Sequence, residues 1–220
     1  MLLQAQGLRL RLGGVPVLRG VDLEVAEGAV HAVVGPAGAG KTTLLNVLTG
    51  YLAPEAGSVW FAGVDVTGRL PRPQVAGGIA RALRSPDLFS GVRAADYCRF
   101  AAGSDAPARS CLGGRAGVHL DRLSTLERTA LEIELALIDR PRLLVLDEPS
   151  SGLGGPGQVE AIAQVVRCAA AGRTVLLVDH HLGLVRSVAD EVTALADGCV
   201  MGESAYLSNP DQGTAALPTT

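Results

Sequence analysis

Gly35-Pro36-Ala37-Gly38-Ala39-Gly40-Lys41-Thr42 satisfies the pattern G-x-x-x-x-G-K-[ST], and its setting decides the fold. Residues 29–34 just before it form an almost wholly apolar run that reads as a central β-strand. A helix is predicted to begin near Thr42 and to continue through Leu44, Leu45 and Leu48 to a stop at Gly50, with Pro54 beyond. In this context glycines let the backbone fold around phosphate oxygens, so that N–H groups and the helix N-terminus point at an anion. Lys41 is then placed to reach β- and γ-phosphates, and the Thr42 hydroxyl, with Thr43 beside it, to meet Mg²⁺. The composition supports this assignment, since Lys41 is the only lysine among nineteen basic residues. A chain that uses arginine everywhere else keeps lysine where a compact ammonium on a thin stem is required.

Working outward, two further apolar strands end in chemistry. Residues 143–146 lead into Asp147-Glu148-Pro149, two adjacent carboxylates at a strand end. Asp147 is the candidate Mg²⁺ ligand, and Glu148 the candidate that orients or deprotonates an attacking water. Residues 174–178 lead into Asp179-His180-His181, where His180 is a candidate contact to the γ-phosphate, a role that depends on the other two motifs being present.

Strands are also predicted at 21–25, 57–61, 192–196 and 199–201, and helices at 158–171 and 182–188. A helix from Ser124 places Leu126, Ala130, Ile133 and Leu137 on one face, and Ser124-x-x-Glu127 has the form of a capping box. Residues 92–101 read as a short helix, while 70–78 and 103–117 read as loops rich in glycine, proline and other small residues. Alternating strands and helices predict an α/β fold with a largely parallel sheet and active groups at its strand ends.

Composition excludes several classes. With 220 residues, 48% of them hydrophobic, the chain suffices for one domain with a substantial core. A net charge of −3 leaves no basic stripe for nucleic acid and no polybasic patch for anionic lipid. Cys98, Cys111, Cys168 and Cys199 are scattered and read as reduced thiols, not metal ligands. There is no signal-peptide pattern and no apolar run of the ~18 residues that cross a bilayer, so membrane contact is expected only through partners.

Together these motifs resemble the ATP-binding subunits of ABC transporters, over about residues 8–202. Gly28-Ala-Val-His31, Gly78-Ile-Ala-Arg81 and Leu184-Val-Arg-Ser-Val-Ala-Asp190 look most like importers of branched-chain amino acids or urea. The resemblance implies a RecA-like P-loop NTPase core with an antiparallel β subdomain and a helical subdomain, shortened here to about residues 84–123. The ATP-binding domain would span 1–208, with a flexible tail over 209–220. It further implies ATP and Mg²⁺ as cofactors, transmembrane permease subunits as partners, and a cytoplasmic place at the inner face of the cell membrane. Two ATP-binding subunits would sandwich two ATP molecules head to tail.

The departures from the family pattern carry their own expectations. Where the family reads Leu-Ser-Gly-Gly-Gln, this chain has Leu123-Ser124-Thr125-Leu126-Glu127, which places a branched side chain and a carboxylate toward the partner's γ-phosphate. Two placements of Glu127 stand: facing that phosphate, or turned back to cap its own helix. Arg84 occupies the position of the family's linking glutamine, Gly154 that of an Asp or Asn, and Leu12 that of an adenine-stacking aromatic. Two functions compete, an importer ATPase and a catalytically weak nucleotide-binding partner in a heterodimer. The altered signature favours unequal sites and a heterodimer; Glu148 and His180 favour hydrolysis. A soluble ABC protein of DNA repair or translation would carry tandem domains or a long coiled coil, and a P-loop kinase would not explain Asp147-Glu148 together with His180.

Overall fold

The computed structural model describes residues 1–69, 78–82 and 91–201. Its first elements, β1 (Leu3–Leu12) and β2 (Val15–Val25), pair as an antiparallel hairpin. Leu3, Ala5, Leu8 and Leu10 of one strand and Leu18, Val21, Leu23 and Val25 of the other are buried, the period of two of a half-buried ribbon, stepped by one residue at the irregularity between Ala5 and Leu8 and, in β2, between Leu18 and Val21. The chain continues through β3 (Val30–Val34), α1 (Lys41–Leu48), β4 (Ala56–Phe61), β5 (Val64–Asp65) and β6 (Ile79–Ala82). It then forms α2 (Ala94–Ala102), α3 (Ala106–Leu112), α4 (Thr125–Ala136), β7 (Leu143–Asp147) and α5 (Pro156–Ala170). It closes with β8 (Thr174–Val178), α6 (Leu182–Val188), β9 (Glu191–Ala196) and β10 (Cys199–Met201).

Among the described residues these strands form two sheets, an antiparallel one ordered β2-β1-β4-β5 and a second ordered β10-β9-β3-β8-β7-β6. The second is parallel except where β10 meets β9. Its central strands are apolar on both faces, and alternate residues enter different layers. Val33, Val145, Leu176 and Val178 pack with α1 and the antiparallel sheet. Ala32, Leu144, Leu146, Val175 and Leu177 pack with α5, α6 and Ile133 of α4. Each fully buried Val or Leu contributes about 1.5–3 kcal/mol, so this double-sided burial fixes the sheet and the positions of its strand ends.

Three expectations from sequence need correction or extension. The 21–25 strand is the end of a longer β2, and its partner β1 was not predicted; Gly7, at φ 58°, and the irregularity between Ala5 and Leu8 break its alternation into two short stretches. The 103–117 stretch is not a loop. It contains α3 and a 3₁₀ turn at Gly113–Arg115, since Pro107 suits a first helical turn and Ala108 and Leu112 bury one face. Those residues join Ala94, Cys98, Leu120, Leu123 and Leu131 in a separate small core, so a compact helical region exists despite its brevity. Residues 70–77, the Arg84 position and the 209–220 tail lie outside the described residues.

Within that helical region the Tyr97 hydroxyl donates to Glu132 Oε1 at 3.2 Å. Burial pushes the Glu132 carboxyl up to about 7, and the Tyr97 hydrogen bond only partly opposes it. An acid whose folded pKa lies above its unfolded value binds more protons when folded, so stability is lost as pH rises from about 4.5 toward 7. Glu132→Gln is therefore expected to stabilise the chain by about 1–2 kcal/mol at pH 8 and by almost nothing at pH 4. Urea unfolding at the two pH values measures this.

Candidate functional site

β3, β7 and β8 are adjacent and parallel, so their C-terminal ends open on one edge of the sheet. The cradle follows β3. Gly35, at φ 154°, approaches the Leu195 carbonyl so closely that a Cβ would lie 2.1 Å from its oxygen. At Gly40, φ 98°, a Cβ would lie 2.9 Å from Val17 O. Side chains are thus excluded at both ends of the loop by backbone on the far side, and the loop's inner surface remains main chain. Gly40 caps α1 in the left-handed conformation with no side-chain cap hydrogen bond, leaving the first-turn amides to an external acceptor.

Lys41 is buried and donates from Nζ to Gly35 O and Pro36 O, both at 2.8 Å, spanning the loop it belongs to. Burial lowers its pKa, while Glu148, Asp147 and Asp179 pull it back up. The ammonium therefore sits in the field of three carboxylates from two neighbouring strands, poised over its own loop carbonyls until a phosphate offers better acceptors. Thr42 is exposed at the helix start and Thr43 is half-buried.

Asp147, the last residue of β7, divides its two oxygens. Oδ2 accepts from Arg81 at 2.6 Å, whereas Oδ1 is buried and has no hydrogen-bond partner among the described residues. Arg81 also donates to Asn46 Oδ1 of α1 at 2.6 Å. An orphaned buried carboxylate oxygen on a residue whose charge acts on the P-loop lysine is the donor chemistry that suits a hard divalent cation, so these residues fit Mg²⁺. Glu148 follows in the left-handed region at φ 49°, unusual for a non-glycine residue, and its N–H donates to Val178 O at 2.7 Å. The backbone is thereby turned at the strand end and held by the neighbouring strand. His180 Nδ1 lies 3.8 Å from Glu148 Oε1 and 3.9 Å from Asp179 Oδ1, with much of its ring exposed.

Lys41, Asp147, Glu148 and His180 are thus brought to one edge. Two groups that sequence reasoning did not select join them. Asp179, fully buried, accepts from Ser150 N at 3.0 Å, Ser150 Oγ at 2.6 Å and His181 N at 2.9 Å, tying the segment after Glu148 to the end of β8. The available signal was an acid closing an apolar strand. Arg81 is the other; with β6 not predicted as a strand, nothing in the sequence marked it, and only its place inside β6 shows that its charge needs a buried partner.

The Ser124–Glu127 segment lies at the N-terminus of α4, where Thr125 lines one cavity with Asp147 and Glu148. Ser124 Oγ accepts from Glu127 N at 3.3 Å and Glu127 Oε2 accepts from Ser124 N at 2.9 Å, a complete capping box. Glu127 Oε1 is also paired with Arg115. Burial would raise its pKa, but the Ser124 hydrogen bonds and the Arg115 guanidinium hold it below the usual range. Of the two placements expected, Glu127 takes the one turned back on its own helix. Leu126 is half-buried and packs on the core beneath α4, because the helix rotates it inward, leaving Ser124 and Thr125 as the exposed residues of the turn.

Comparison with known proteins gives a consistent family. The family model described as "ABC transporter" matches residues 18–151. The chain is 37% identical to the hemin import ATP-binding protein HmuV of Streptomyces coelicolor, over 90% of this chain and 76% of that protein. It is 29% identical to the high-affinity branched-chain amino acid transport ATP-binding protein BraF of Pseudomonas aeruginosa, over 96% of this chain and 95% of that protein. Ribose import ATP-binding protein RbsA 2 of Rubrobacter xylanophilus is 32% identical over 94% of this chain, which spans 44% of that relative's length. Other sugar and autoinducer importers are likewise matched over less than half their length. Among solved structures, an ATP-binding cassette of an ABC transporter in its ADP conformation has a TM-score of 0.81 and 25% identity, covering 94% of this chain and 93% of that one.

Proposed function

Because the chain belongs to the ABC transporter ATP-binding family, we propose that it binds Mg·ATP in the 35–43 cradle and hydrolyses it to drive transmembrane permease subunits. The observation that carries this reading is the convergence of the buried Lys41 ammonium, the orphaned Asp147 oxygen and the Glu148 carboxyl on one sheet edge. Lys41 exchanges its loop carbonyls for β- and γ-phosphate oxygens. Thr42 and Asp147 would hold Mg²⁺, which when bound neutralises those oxygens. Glu148 accepts the proton of the water that attacks the γ-phosphorus, and His180, close enough to Glu148 to share its polar surroundings, contacts the γ-phosphate.

The direction of transport we assign is uptake, since the relatives are importers. Their cargoes range over ribose, hemin and branched-chain amino acids, and the stretches shared with the branched-chain amino acid and urea type favour a small polar solute. The chain would dock from the inner face of the cell membrane; among the described residues no helix is long and apolar enough to cross it. Isothermal calorimetry with Mg·ATP, together with co-purification with a permease subunit, tests the proposal. Absence of saturable nucleotide binding would refute it.

A second reading, a heterodimer with unequal sites, is favoured by the capping box. The Ser124 N–H already donates to the Glu127 carboxylate and the Glu127 N–H to Ser124 Oγ, so a negative charge sits at the entrance of α4 where a partner's γ-phosphate would approach. Glu127→Gln removes that charge while keeping a capping side chain, and in a Glu148→Gln background should raise ATP-dependent dimerisation about tenfold, the order of effect of removing a like charge near the phosphate. Size-exclusion chromatography with and without Mg·ATP reads this. A parent chain that alone forms stable ATP homodimers and turns over briskly would sink the unequal-site reading.

A further inference from the structure

Arg81 is the third residue of β6, opposite Val145 of β7, and its side chain is only 12% exposed. Its guanidinium joins three elements. One arm holds Asp147 Oδ2 at the end of β7, the other holds Asn46 of α1, and the ring of Tyr51, just beyond α1, lies 6.0 Å from its central carbon. Burying a guanidinium in a short strand is unfavourable unless it is fully paired, and here the partner is the carboxylate that faces the metal site. We propose that Arg81 is a resident cation of the nucleotide site: it neutralises Asp147 through Oδ2 in the absence of metal, leaves Oδ1 for the metal, and so makes nucleotide binding only weakly dependent on Mg²⁺.

The charge inventory supports this assignment. Asp147, Glu148 and Asp179 all act on Lys41, and one ammonium does not balance three carboxylates. A polyphosphate entering without metal would meet a negative edge were Asp147 not already matched. Arg81 supplies that match permanently, and its fixed charge also opposes a divalent ion on the other carboxylate oxygen, lowering the metal's contribution. Asn46 and Asp147 accept from separate arms of the guanidinium, so Arg81 engages Oδ2 alone and leaves Oδ1 without a partner among the described residues.

The inference rests on nucleotide occupying the 35–43 cradle, and its test separates the two. ATP affinity is measured by calorimetry with excess Mg²⁺ and again in EDTA, and the ratio of the two dissociation constants is compared between variants. The parent ratio is expected to stay below about tenfold, and Arg81→Gln to raise it a further tenfold or more, mainly by weakening metal-free binding. Arg81→Lys, which keeps the charge, should stay within about threefold of the parent. Should the glutamine variant fail to fold, Asn46→Asp sets a second carboxylate on the guanidinium and should move the ratio in the same direction. An unchanged ratio in whichever of Arg81→Gln and Asn46→Asp folds, or an equal shift in the lysine variant, overturns the proposal. A parent that binds no ATP under either condition instead refutes the nucleotide-site reading itself.

Discussion

Lys41→Ala is expected to lower Mg·ATP affinity by about 10²-fold or more, the scale of a lost charge-assisted contact to a multiply charged phosphate in a partly dehydrated site. The loss belongs to binding and not to folding. Lys41 is buried with a depressed pKa, so its charge is uncomfortable in the empty site and is tolerated through the Gly35 and Pro36 carbonyls and the three nearby carboxylates. Removing it should leave the thermal midpoint of the nucleotide-free chain unchanged or slightly raised. Lys41→Arg should fail almost as completely, since a planar fork cannot take the place of a point donor 2.8 Å from two successive carbonyls in a loop closed at Gly35 and Gly40 by backbone. Calorimetry paired with a thermal melt makes the check. Parent-like affinity in either variant would remove Lys41 from the site.

Glu148→Gln should leave nucleotide binding intact and reduce turnover by about 10²-fold or more, the effect of losing a positioned base. The substitution is geometrically mild. The left-handed backbone at Glu148 is imposed by the turn at the strand end and by its N–H bond to Val178 O, and glutamine bears the same strain there. Glutamine keeps the shape and hydrogen-bonding reach and loses only the proton-accepting charge. Phosphate release and ATP affinity measured on one preparation separate the two quantities, and unchanged turnover would take Glu148 out of the base role.

The candidate phosphate cradle, the strands and helices of the parallel sheet apart from β6, and the carboxylates at strand ends were legible in the linear chain. Each rests on local chemistry. Glycine spacing dictates where backbone can curl around an anion, apolar periodicity dictates which face is buried, and an acid closing an apolar run dictates where it emerges. α3 was missed because its stretch is rich in small residues and its helicity depends on burying Ala108 and Leu112 against neighbouring helices. β1 was missed because its inward residues acquire meaning only once β2 and β4 flank it.

What the sequence by itself determined is therefore the family and the candidate groups that the fold gathers at one sheet edge, Lys41, Asp147 and Glu148, with His180 beside them. Tertiary structure alone decided how that site is electrostatically dressed. Arg81 reaches Asp147 across 66 residues of chain and Asn46 across 35, and Glu127, whose capping box the sequence offered, also pairs with Arg115. Such pairings carry no periodic signature. They exist because folding places charges in a medium of low dielectric, where each must find an opposite charge or a hydrogen-bond partner from whichever element is nearest in space.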